Sequence, residues 1–472
     1  MDDVLNRDAL ALSGMMDRRE LGAVELMQAT LARIADWNPA INAIVAQRDP
    51  DILLTEARAA DNSPRRGWLH GLPVAIKDLA NARGIATSYG SPIFAGQGPA
   101  EADDLFVARM RAAGALFVGK TNVPEFGLGS HTFNPVHGAT RNPYDPTRSA
   151  GGSSGGAAAA LAARMLPIAD GSDMMGSLRN PAGWCNVYGF RPTWGRVPNE
   201  PQGDTFLQTL ATNGPMGRSP ADIAALLQVQ AGPDPRQPFG LDTPDFSAAL
   251  DQPVRGQRIA WLADWDGAYE TEPGILDLCD TALDVFRDLG VGVDRIPAPF
   301  PAHKIWDAWQ TLRWFAVASK FAPLLAQDKT RALLKPEAVW EIENGLKLTA
   351  MDIHKASAAR SDWFRVAADL FTRYDALALP SAQVWPFAVD LRHPAAINDR
   401  QMDSYHRWME VVIPASLIGL PALALPAGFG PQGMPMGLQL IGPSRGDAGV
   451  LRLGQAYHRE TLWPQKMPPA RP

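Results

Sequence analysis

The spacing of apolar residues along the chain predicts helices in some stretches and strands in others. Near the start, Leu21, Val24, Leu31 and Ile34 recur close to the 3.6-residue helical period, which is typical of helices that bury one face. We therefore expect the N-terminal region, residues 1–62, to be helical.

Beyond residue 62, short apolar runs alternate with amphipathic stretches. Strands alternating with helices indicate the α/β class, so we expect a large mixed, mostly parallel twisted sheet with helices on both faces. The apolar runs predict strands at 71–79, 115–118, 258–262, 375–380, 420–426 and 437–441. The amphipathic stretches predict helices at 102–114, 275–289 and 448–459.

Helical patterning without intervening strands covers residues 300–375, where tryptophan is common. The pattern predicts a helical insertion in the C-terminal half. Its rings either form a bundle that packs on the sheet or, in addition, line the entrance to a binding site. We expect a single domain over 1–472, with the chemistry carried by 63–220 and a return to the sheet over 375–472.

The composition is that of an ordinary globular protein, with 46% hydrophobic residues, 20% charged residues and a net charge of −6. This mildly acidic balance does not favour nucleic-acid binding, and no apolar run has the length of a transmembrane helix. Because Cys185 and Cys279 are the only cysteines, we expect no disulfide framework and a cytoplasmic location. The eight histidines show no metal-ligand spacing, so we expect neither a metal nor a cofactor.

Two short motifs match known patterns without their structural context. Residues 114–121 read GALFVGKT, as a P-loop does, but the four residues between the glycines are apolar and predict a strand inside the motif. Residues 152–156 read GSSGG, which fits the G-x-S-x-G nucleophile elbow. An elbow follows a buried strand, and the preceding RNPYDPTRSA contains two prolines. Neither ATP binding nor an α/β-hydrolase is favoured.

The candidate chemistry lies in two Gly/Ser-rich loops between residues 149 and 181. Ser153 and Ser177 stand in these loops, which flank an Ala-rich segment. Such loops can direct hydroxyls and backbone N–H donors at one point, as acyl transfer requires. The available base is Lys77, although a lysine in an apolar run is as often a snorkelling residue. Keeping it neutral near pH 7 costs about 4–5 kcal/mol, which burial and nearby N–H dipoles must supply.

Seven sequence blocks follow one another in order and are densest between residues 71 and 218. They read GLPVAIKD, GKTNVPEFGLG, RNPYDPTRSAGGSSGG, GSDMMGSLRNPA, NGPMGRSP, GLPALALPAGF and GLQLIG. Over most of the chain these blocks resemble the amidase signature family, and ordered blocks are far more specific than one glycine motif. The resemblance implies an amide hydrolase with a serine–cis-serine–lysine triad.

On this chain the resemblance implies that Ser177 is the nucleophile, Ser153 the bridging serine and Lys77 the base. It also implies a cis peptide bond at Gly152–Ser153 or its immediate neighbour. Protons would pass from Ser177 to Ser153 and from Ser153 to Lys77. The implied oxyanion hole consists of the backbone N–H groups of Met174, Met175, Gly176 and Ser177.

The resemblance further implies supporting positions around the triad. Ser154, Asp173 and Arg179 are expected to stand behind the reacting groups and to shape the loop. Gly127 and Gly129 are expected to contact the substrate, and the insertion at 300–375 is expected on the substrate side.

The chain departs from the family pattern at one position. The family usually has G-[ST]-D-x-G-G-S where this chain reads GSDMMGS, so Met175 replaces a glycine. A positive φ at this position would strain methionine. Either the loop differs slightly or Met175 narrows the acyl pocket.

Three functions remain after this comparison. The first is a hydrolase that cleaves the carbonyl–nitrogen bond of amides, with aryl amides and carbamates (urethanes) as candidate substrates and esterase side activity. It would act on small molecules as a monomer or homodimer, without a nucleic-acid or membrane partner. The alternative is the glutaminase-type A subunit of a tRNA-dependent amidotransferase, against which Met174–Met175 and the tryptophan-rich insertion argue. The third is a non-catalytic binding protein, against which the intact triad positions argue.

Overall fold

The computed structural model describes residues 4–201, 203–207 and 209–469, and a large and a small sheet organise its fold. The α-helices of this part of the chain are α1 (Ala9–Asp17), α2 (Ala23–Ile41), α3 (Pro50–Asp61), α4 (Leu105–Ala112), α5 (Gly155–Ala162), α6 (Arg179–Trp184), α7 (Pro220–Gln230), α8 (Ile275–Asp288), α9 (Ala302–Leu325), α10 (Asp328–Arg331), α11 (Pro336–Gly345), α12 (Ala350–Leu370), α13 (Ile413–Leu417) and α14 (Asp447–Thr461). The strands are β1 (Ile44–Val45), β2 (Pro73–Lys77), β3 (Leu116–Thr121), β4 (Phe133–Asn134), β5 (Gly138–Ala139), β6 (Arg141–Asn142), β7 (Asp145–Ser149), β8 (Ile168–Asp173), β9 (Tyr188–Arg191), β10 (Thr212–Gly217), β11 (Arg258–Trp261), β12 (Gly292–Arg295), β13 (Ala376–Pro380), β14 (Ala396–Ile397), β15 (Arg400–Gln401), β16 (Ala422–Phe429) and β17 (Pro435–Ile441).

The large sheet has eight strands in the order β12-β11-β13-β17-β16-β9-β10-β8. The expected α/β class with a large mixed sheet is confirmed, but the expectation that the sheet is mostly parallel is wrong. The β11–β12 and β11–β13 pairs are parallel, whereas the other five neighbouring pairs are antiparallel. The reason is that β16 and β17 form a hairpin and β10 returns against both β8 and β9. Only a long crossover could have made these pairs parallel.

Helices cover both faces of the large sheet, as expected. Ala424 and Gln439 are register partners on one face, where Arg179 of α6 donates a hydrogen bond to Gln439 Oε1 at 2.6 Å. Leu423 points to the opposite face because side chains alternate along a strand. There Gly454 of α14 approaches the Leu423 side chain so closely that a Cβ would overlap it.

The small sheet holds the strand that carries the candidate base. Its order is β1-β3-β2, with β2 and β3 parallel and Lys77 opposite Thr121 at their ends. Strand β3 lies inside the GALFVGKT motif at 114–121, as predicted. The motif therefore does not form the loop between a strand and a helix that a P-loop requires. The small sheet meets the large one where β2 contacts β8, and the fully buried helix α5 contacts β2, β3 and β8.

The segments around this pair of sheets also follow the sequence pattern. Helices α1, α2 and α3 lie within residues 1–62, and the proline-containing stretch before Ser153 forms the partly buried hairpin of β6 and β7 rather than a buried strand. The region 300–375 forms α9 to α12, so the predicted helical insertion is confirmed. Within the described residues no helix is both long enough and apolar enough to cross a membrane.

The insertion forms a small hydrophobic cluster of its own beside the main core. The cluster joins α9 and α11 to the segment that precedes Gly127, and the Phe126 and Phe321 ring centroids are 4.6 Å apart. Its buried members are Phe126, Leu128, Val317, Ala318, Leu325, Leu334, Ala338 and Ile342. The insertion therefore packs directly on the chain segment in which the substrate-contacting glycines were expected.

Candidate active site

The Lys77 side chain ends in a buried cage of serine oxygens. Its Nζ lies 2.8 Å from both Ser153 Oγ and Ser154 Oγ. It also lies 3.0 Å from Ser172 Oγ and 3.2 Å from the Ser172 carbonyl oxygen. The lysine is 1% exposed. A carbonyl oxygen can only accept, whereas a hydroxyl can also donate, so a neutral Lys77 can donate to Ser172 and still offer its lone pair to the Ser153 hydroxyl.

The surroundings of Lys77 favour its neutral form. Burial lowers the pKa of Lys77 to about 7, and the Asp170 and Asp173 carboxylates only partly oppose this shift. Removing an ammonium group from water disfavours the charged state. The amine is thus able to accept a proton near neutral pH, which an exposed lysine is not.

Ser153 and Ser154 stand where the glycine-rich loop enters α5. The Gly152–Ser153 peptide bond is cis, as the resemblance implied. The following backbone N–H, that of Ser154, donates to the Ser177 carbonyl oxygen at 3.2 Å. This hydrogen bond fixes the backbone of Ser177 beside the serine pair. Both Ser153 and Ser177 are buried.

Ser177 lies in the turn between β8 and α6. Among the described residues, its hydroxyl has no hydrogen-bond partner, and it makes no direct bond to Ser153. Hydroxyls of catalytic sites are often poorly paired before substrate binds. The structure therefore brings Lys77 and Ser153 into direct contact, and it leaves the Ser177 hydroxyl unengaged.

The four backbone N–H groups expected to form the oxyanion hole are not equivalent. The Gly176 N–H donates to Asp173 Oδ1 at 2.9 Å, so it already has an acceptor within the loop. The N–H groups of Met174, Met175 and Ser177 have no acceptor within the part of the chain that the structure describes. Among the described residues, these three N–H groups are thus free to donate.

Asp173 holds this loop through a buried ion-pair cluster. Arg179 binds both Asp173 carboxylate oxygens at 3.0 Å, and Arg191 adds a contact at 3.2 Å. Burial alone would raise the pKa of Asp173, but the two guanidinium groups hold it well below its usual value. Asp173 Oδ2 also accepts the Leu178 N–H at 3.2 Å. Asp173 and Arg179 thus lie where supporting residues were expected, and neither is exposed.

The methionine that departs from the family pattern fits without backbone strain. Gly176 has the positive φ, 76°, and Met175 is not among the described non-glycine residues with positive φ. A glycine is therefore not required at position 175. The Met175 side chain is 3% exposed and belongs to the main core.

The two glycines expected to contact substrate lie on different sides of the site. A Cβ on Gly127, which has φ +71°, would stand 3.4 Å from Ser153 Oγ and 2.8 Å from Leu79. Gly129, with φ +100°, lies farther along the segment, where a Cβ would be 3.6 Å from the Tyr405 ring. Gly127 therefore lies next to Ser153, whereas Gly129 lies next to the Tyr405 ring.

Sequence reasoning missed two groups that contact the base. Ser172 provides two of the four contacts to Lys77 Nζ, although it stands inside the GSD motif. Asp170 accepts the Lys77 backbone N–H at 3.0 Å through Oδ1, whereas its Oδ2 is buried without a partner. Burial raises the pKa of Asp170 to about 6. Its polar position within a buried strand was the available signal.

A further group that sequence reasoning missed joins the insertion to the loop at residues 174–177. Arg313 of α9 donates to Glu341 at 2.6 Å and to the Tyr405 hydroxyl at 2.8 Å. It also contacts Met174 Sδ at 3.4 Å. The Tyr405 hydroxyl donates to the same Glu341 oxygen at 2.7 Å. The insertion is therefore tied to Met174 by a buried polar cluster that no local motif reveals.

Among the described residues, no group of three His, Cys, Asp or Glu side chains is arranged to hold a metal ion.

Comparison with known proteins identifies the family to which the chain belongs. The family model described as Amidase matches residues 25–451. The chain belongs to the amidase signature family. It is 36% identical over 483 residues to the A subunit of a glutamyl-tRNA(Gln) amidotransferase of Chloroflexus aurantiacus, covering 95% of each chain. It is 32% identical over 473 residues to an acylamidase of Rhodococcus erythropolis, covering 98% of this chain and 96% of that one.

A solved structure of the same family matches over nearly the full length. It is a bacterial aryl acylamidase of the amidase signature family, with a TM-score of 0.91, 28% identity and 99% of each chain covered. The protein is accordingly an amidase-family enzyme, a hydrolase of carbon–nitrogen bonds. Its relatives carry the names of both an acylamidase and an amidotransferase subunit.

Proposed function

We propose that this amidase acts as a free-standing serine hydrolase on small-molecule amides with an aryl or other bulky apolar group. The reaction passes through an acyl-enzyme on Ser177. The observation that carries the proposal is the contact between the buried Lys77 Nζ and Ser153 Oγ at 2.8 Å. A neutral amine in that position can begin a proton relay.

In the proposed reaction, neutral Lys77 accepts the proton of Ser153 while Ser153 accepts that of Ser177. The Ser177 oxygen attacks the substrate carbonyl, and the resulting oxyanion is bound by the N–H groups of Met174, Met175 and Ser177. Removing one such donor typically costs about 10²–10³ in rate. The Ser153 hydroxyl then gives a proton to the departing amine and is reprotonated by Lys77. Water attacks the acyl-enzyme by the same relay and releases the carboxylic acid.

The preference for an aryl or bulky apolar group rests on the rings around Gly127. The Phe126 and Phe321 rings pack at 4.6 Å, next to the segment that borders Ser153. Aromatic walls contribute large apolar contact areas and favour ring-bearing ligands. The match to an aryl acylamidase over 99% of both chains supports the same substrate class.

A second candidate is the glutaminase component of a tRNA-dependent amidotransferase. It is favoured by the 36% identity to the Chloroflexus aurantiacus amidotransferase chain. That function requires a small polar substrate and a partner protein that accepts ammonia. The two candidates therefore differ in what the isolated chain hydrolyses.

The deciding experiment measures amine release from a panel of p-nitroacetanilide, acetamide, an aryl carbamate and glutamine. We expect the isolated protein to hydrolyse the anilide fastest and glutamine least. Glutaminase activity that appears only after a partner protein is added, without anilide hydrolysis, would support the second candidate instead. The carbamate tests whether urethanes share the machinery.

The catalytic assignment is tested with Ser177→Ala and Lys77→Ala. Each is expected to reduce anilide turnover by at least about 10³-fold, since the residues of a relay act as a unit. Ser247→Ala and Lys329→Ala change the same residue types at exposed positions and are expected to retain full activity. Labelling by a fluorophosphonate should occur on the unmodified enzyme and be absent from Ser177→Ala. Near-normal turnover by either triad variant would overturn the assignment.

A further inference from the structure

A cavity of about 320 Å³ lies apart from the catalytic residues. It is bounded by α12, the segment before β10 and the chain that follows α13, and none of Lys77, Ser153 and Ser177 lines it. The residues that matter here are Trp194, Thr209, Arg360, Phe364 and Ser444. The volume suits a small organic molecule.

Arg360 is a cation without a carboxylate partner in the described part of the chain. Its two Nη atoms donate to Thr209 Oγ1 at 2.8 Å and to Ser357 Oγ at 3.1 Å. Burial lowers the pKa of Arg360, and no neighbouring acid opposes that shift. A guanidinium has five N–H donors and only two of these are used among the described residues, so the others can bind an anion, and carboxylates can accept two parallel hydrogen bonds from such a group.

The rest of the cavity combines rings with polar groups. Trp194 contributes an indole whose Nε1 is buried and has no hydrogen-bond partner among the described residues. The Phe364 side chain also lines the cavity, and the residue is 39% exposed. Ser444 adds a hydroxyl. Aromatic walls with a few convergent polar groups are typical of binding sites for small ring-bearing molecules.

We propose that this cavity is a binding site for a monocarboxylate with an aromatic body. The carboxylate pairs with the Arg360 guanidinium, and the ring packs between Trp194 and Phe364. The site is distinct from the reacting residues and does not rest on the function proposed for them.

One buried guanidinium separates this site from the oxyanion loop. Arg191 donates to the Leu210 carbonyl at 2.9 Å, next to Thr209, and contacts the Asp173 side chain at 3.2 Å. The cavity is also bounded by the chain that follows α13. In α13, the Ser416 hydroxyl accepts a hydrogen bond from Arg179 at 2.6 Å. The carboxylate site and the oxyanion loop therefore share a supporting layer but no lining residue.

The test is calorimetric titration of the full-length protein with benzoate. Benzyl alcohol supplies the ring without the charge, and inorganic phosphate supplies the charge without the ring. We expect benzoate to bind at least about tenfold more tightly than either one, because a charge-assisted pair and ring packing act together. Equal or tighter binding of phosphate, or no benzoate binding at all, would overturn the proposal.

The location is tested with Arg360→Gln and Arg360→Lys. Benzoate affinity should fall at least about tenfold in Arg360→Gln, and by a smaller factor in Arg360→Lys, which keeps the charge but loses the fork. The control is Arg373→Gln, which changes an exposed arginine shortly after the end of α12. This variant should bind benzoate as tightly as the unmodified protein does. Circular dichroism and thermal unfolding verify the fold of each variant. A benzoate titration unchanged in a folded Arg360→Gln would place the ligand elsewhere and refute the site.

Discussion

Asp173 and Arg179 form a fully buried two-point ion pair, with both contacts at 3.0 Å, and the same carboxylate accepts the backbone N–H of Gly176. The oxyanion loop is thus positioned by a charge that no substrate reaches. Removing one member of a buried ion pair leaves the other charge uncompensated. Stability and catalysis should therefore depend on the same carboxylate.

We predict that Asp173→Asn destabilises the protein by about 3–5 kcal/mol, the usual cost of breaking a buried pair. The substitution removes the counter-charge of both Arg179 and Arg191 and one acceptor of the loop. Urea unfolding measures the free energy, and anilide turnover on the folded fraction measures the effect on the loop. Asp280→Asn, at an exposed ion pair with 55% of the Asp280 side chain accessible, should cost less than about 1 kcal/mol. Equal unfolding free energies for the two variants would contradict this prediction.

The pH dependence of catalysis should follow Lys77. Burial places its pKa at about 7, and only the neutral amine can accept a proton from Ser153. Below that pH the lysine is charged, so kcat/KM for a non-ionising anilide should fall by about tenfold per pH unit. Above it kcat/KM should level off. A profile that stays flat as the pH falls well below 7 would show that the proton does not go to this amine.

Gly176 should resist substitution by alanine. Its φ is +76°, and an added Cβ would stand 2.7–2.9 Å from the Val412 side chain. We expect Gly176→Ala to lower kcat by about 10²-fold or more, because the neighbouring N–H donors would turn away from the oxyanion. Gly433→Ala is the matched control, with φ +72° and open space around the new Cβ. It should cost only the backbone strain, about 1–2 kcal/mol, and leave kcat unchanged; a similar loss of kcat in both variants would exclude the steric explanation.

Phe321 should affect the preference between aryl and small amides rather than the bond cleavage itself. Phe321→Ala removes the ring that packs on Phe126 at 4.6 Å, and with it part of the hydrophobic cluster next to Gly127. We expect the ratio of kcat/KM for p-nitroacetanilide to that for acetamide to fall about tenfold, which corresponds to about 1.4 kcal/mol. Phe206→Ala, at a 62% exposed ring, should leave the ratio unchanged. A parallel loss on both substrates would indicate a general structural effect.

The sequence could indicate where the candidate groups lie because they stand in short motifs. The family resemblance that those motifs carry implied a Lys77–Ser153 pair and a cis bond at Gly152–Ser153, and the contact and the cis bond are both present. Strand direction could not be derived in this way, since alternating strands and helices do not specify which strands become neighbours. The contact of Arg313 with Met174 joins residues 139 positions apart, and no local sequence pattern predicts a contact over such a separation. The backbone conformation at Met175 could not be predicted either, because a motif gives residue types but not φ angles.

Lys77 ends a strand of the small sheet, whereas the turn to Ser177 follows β8 of the large sheet. The backbone N–H of Lys77 donates to Asp170 across the junction, and the alanine-rich α5 fits between the sheets because its side chains are small. A Cβ on Gly156 would already overlap the backbone at Asn122. The separation between proton acceptor and attacking oxygen is thus determined by the spacing of two independently hydrogen-bonded layers. A change of bulk within α5 would alter that spacing while leaving the side chains of Lys77, Ser153 and Ser177 intact.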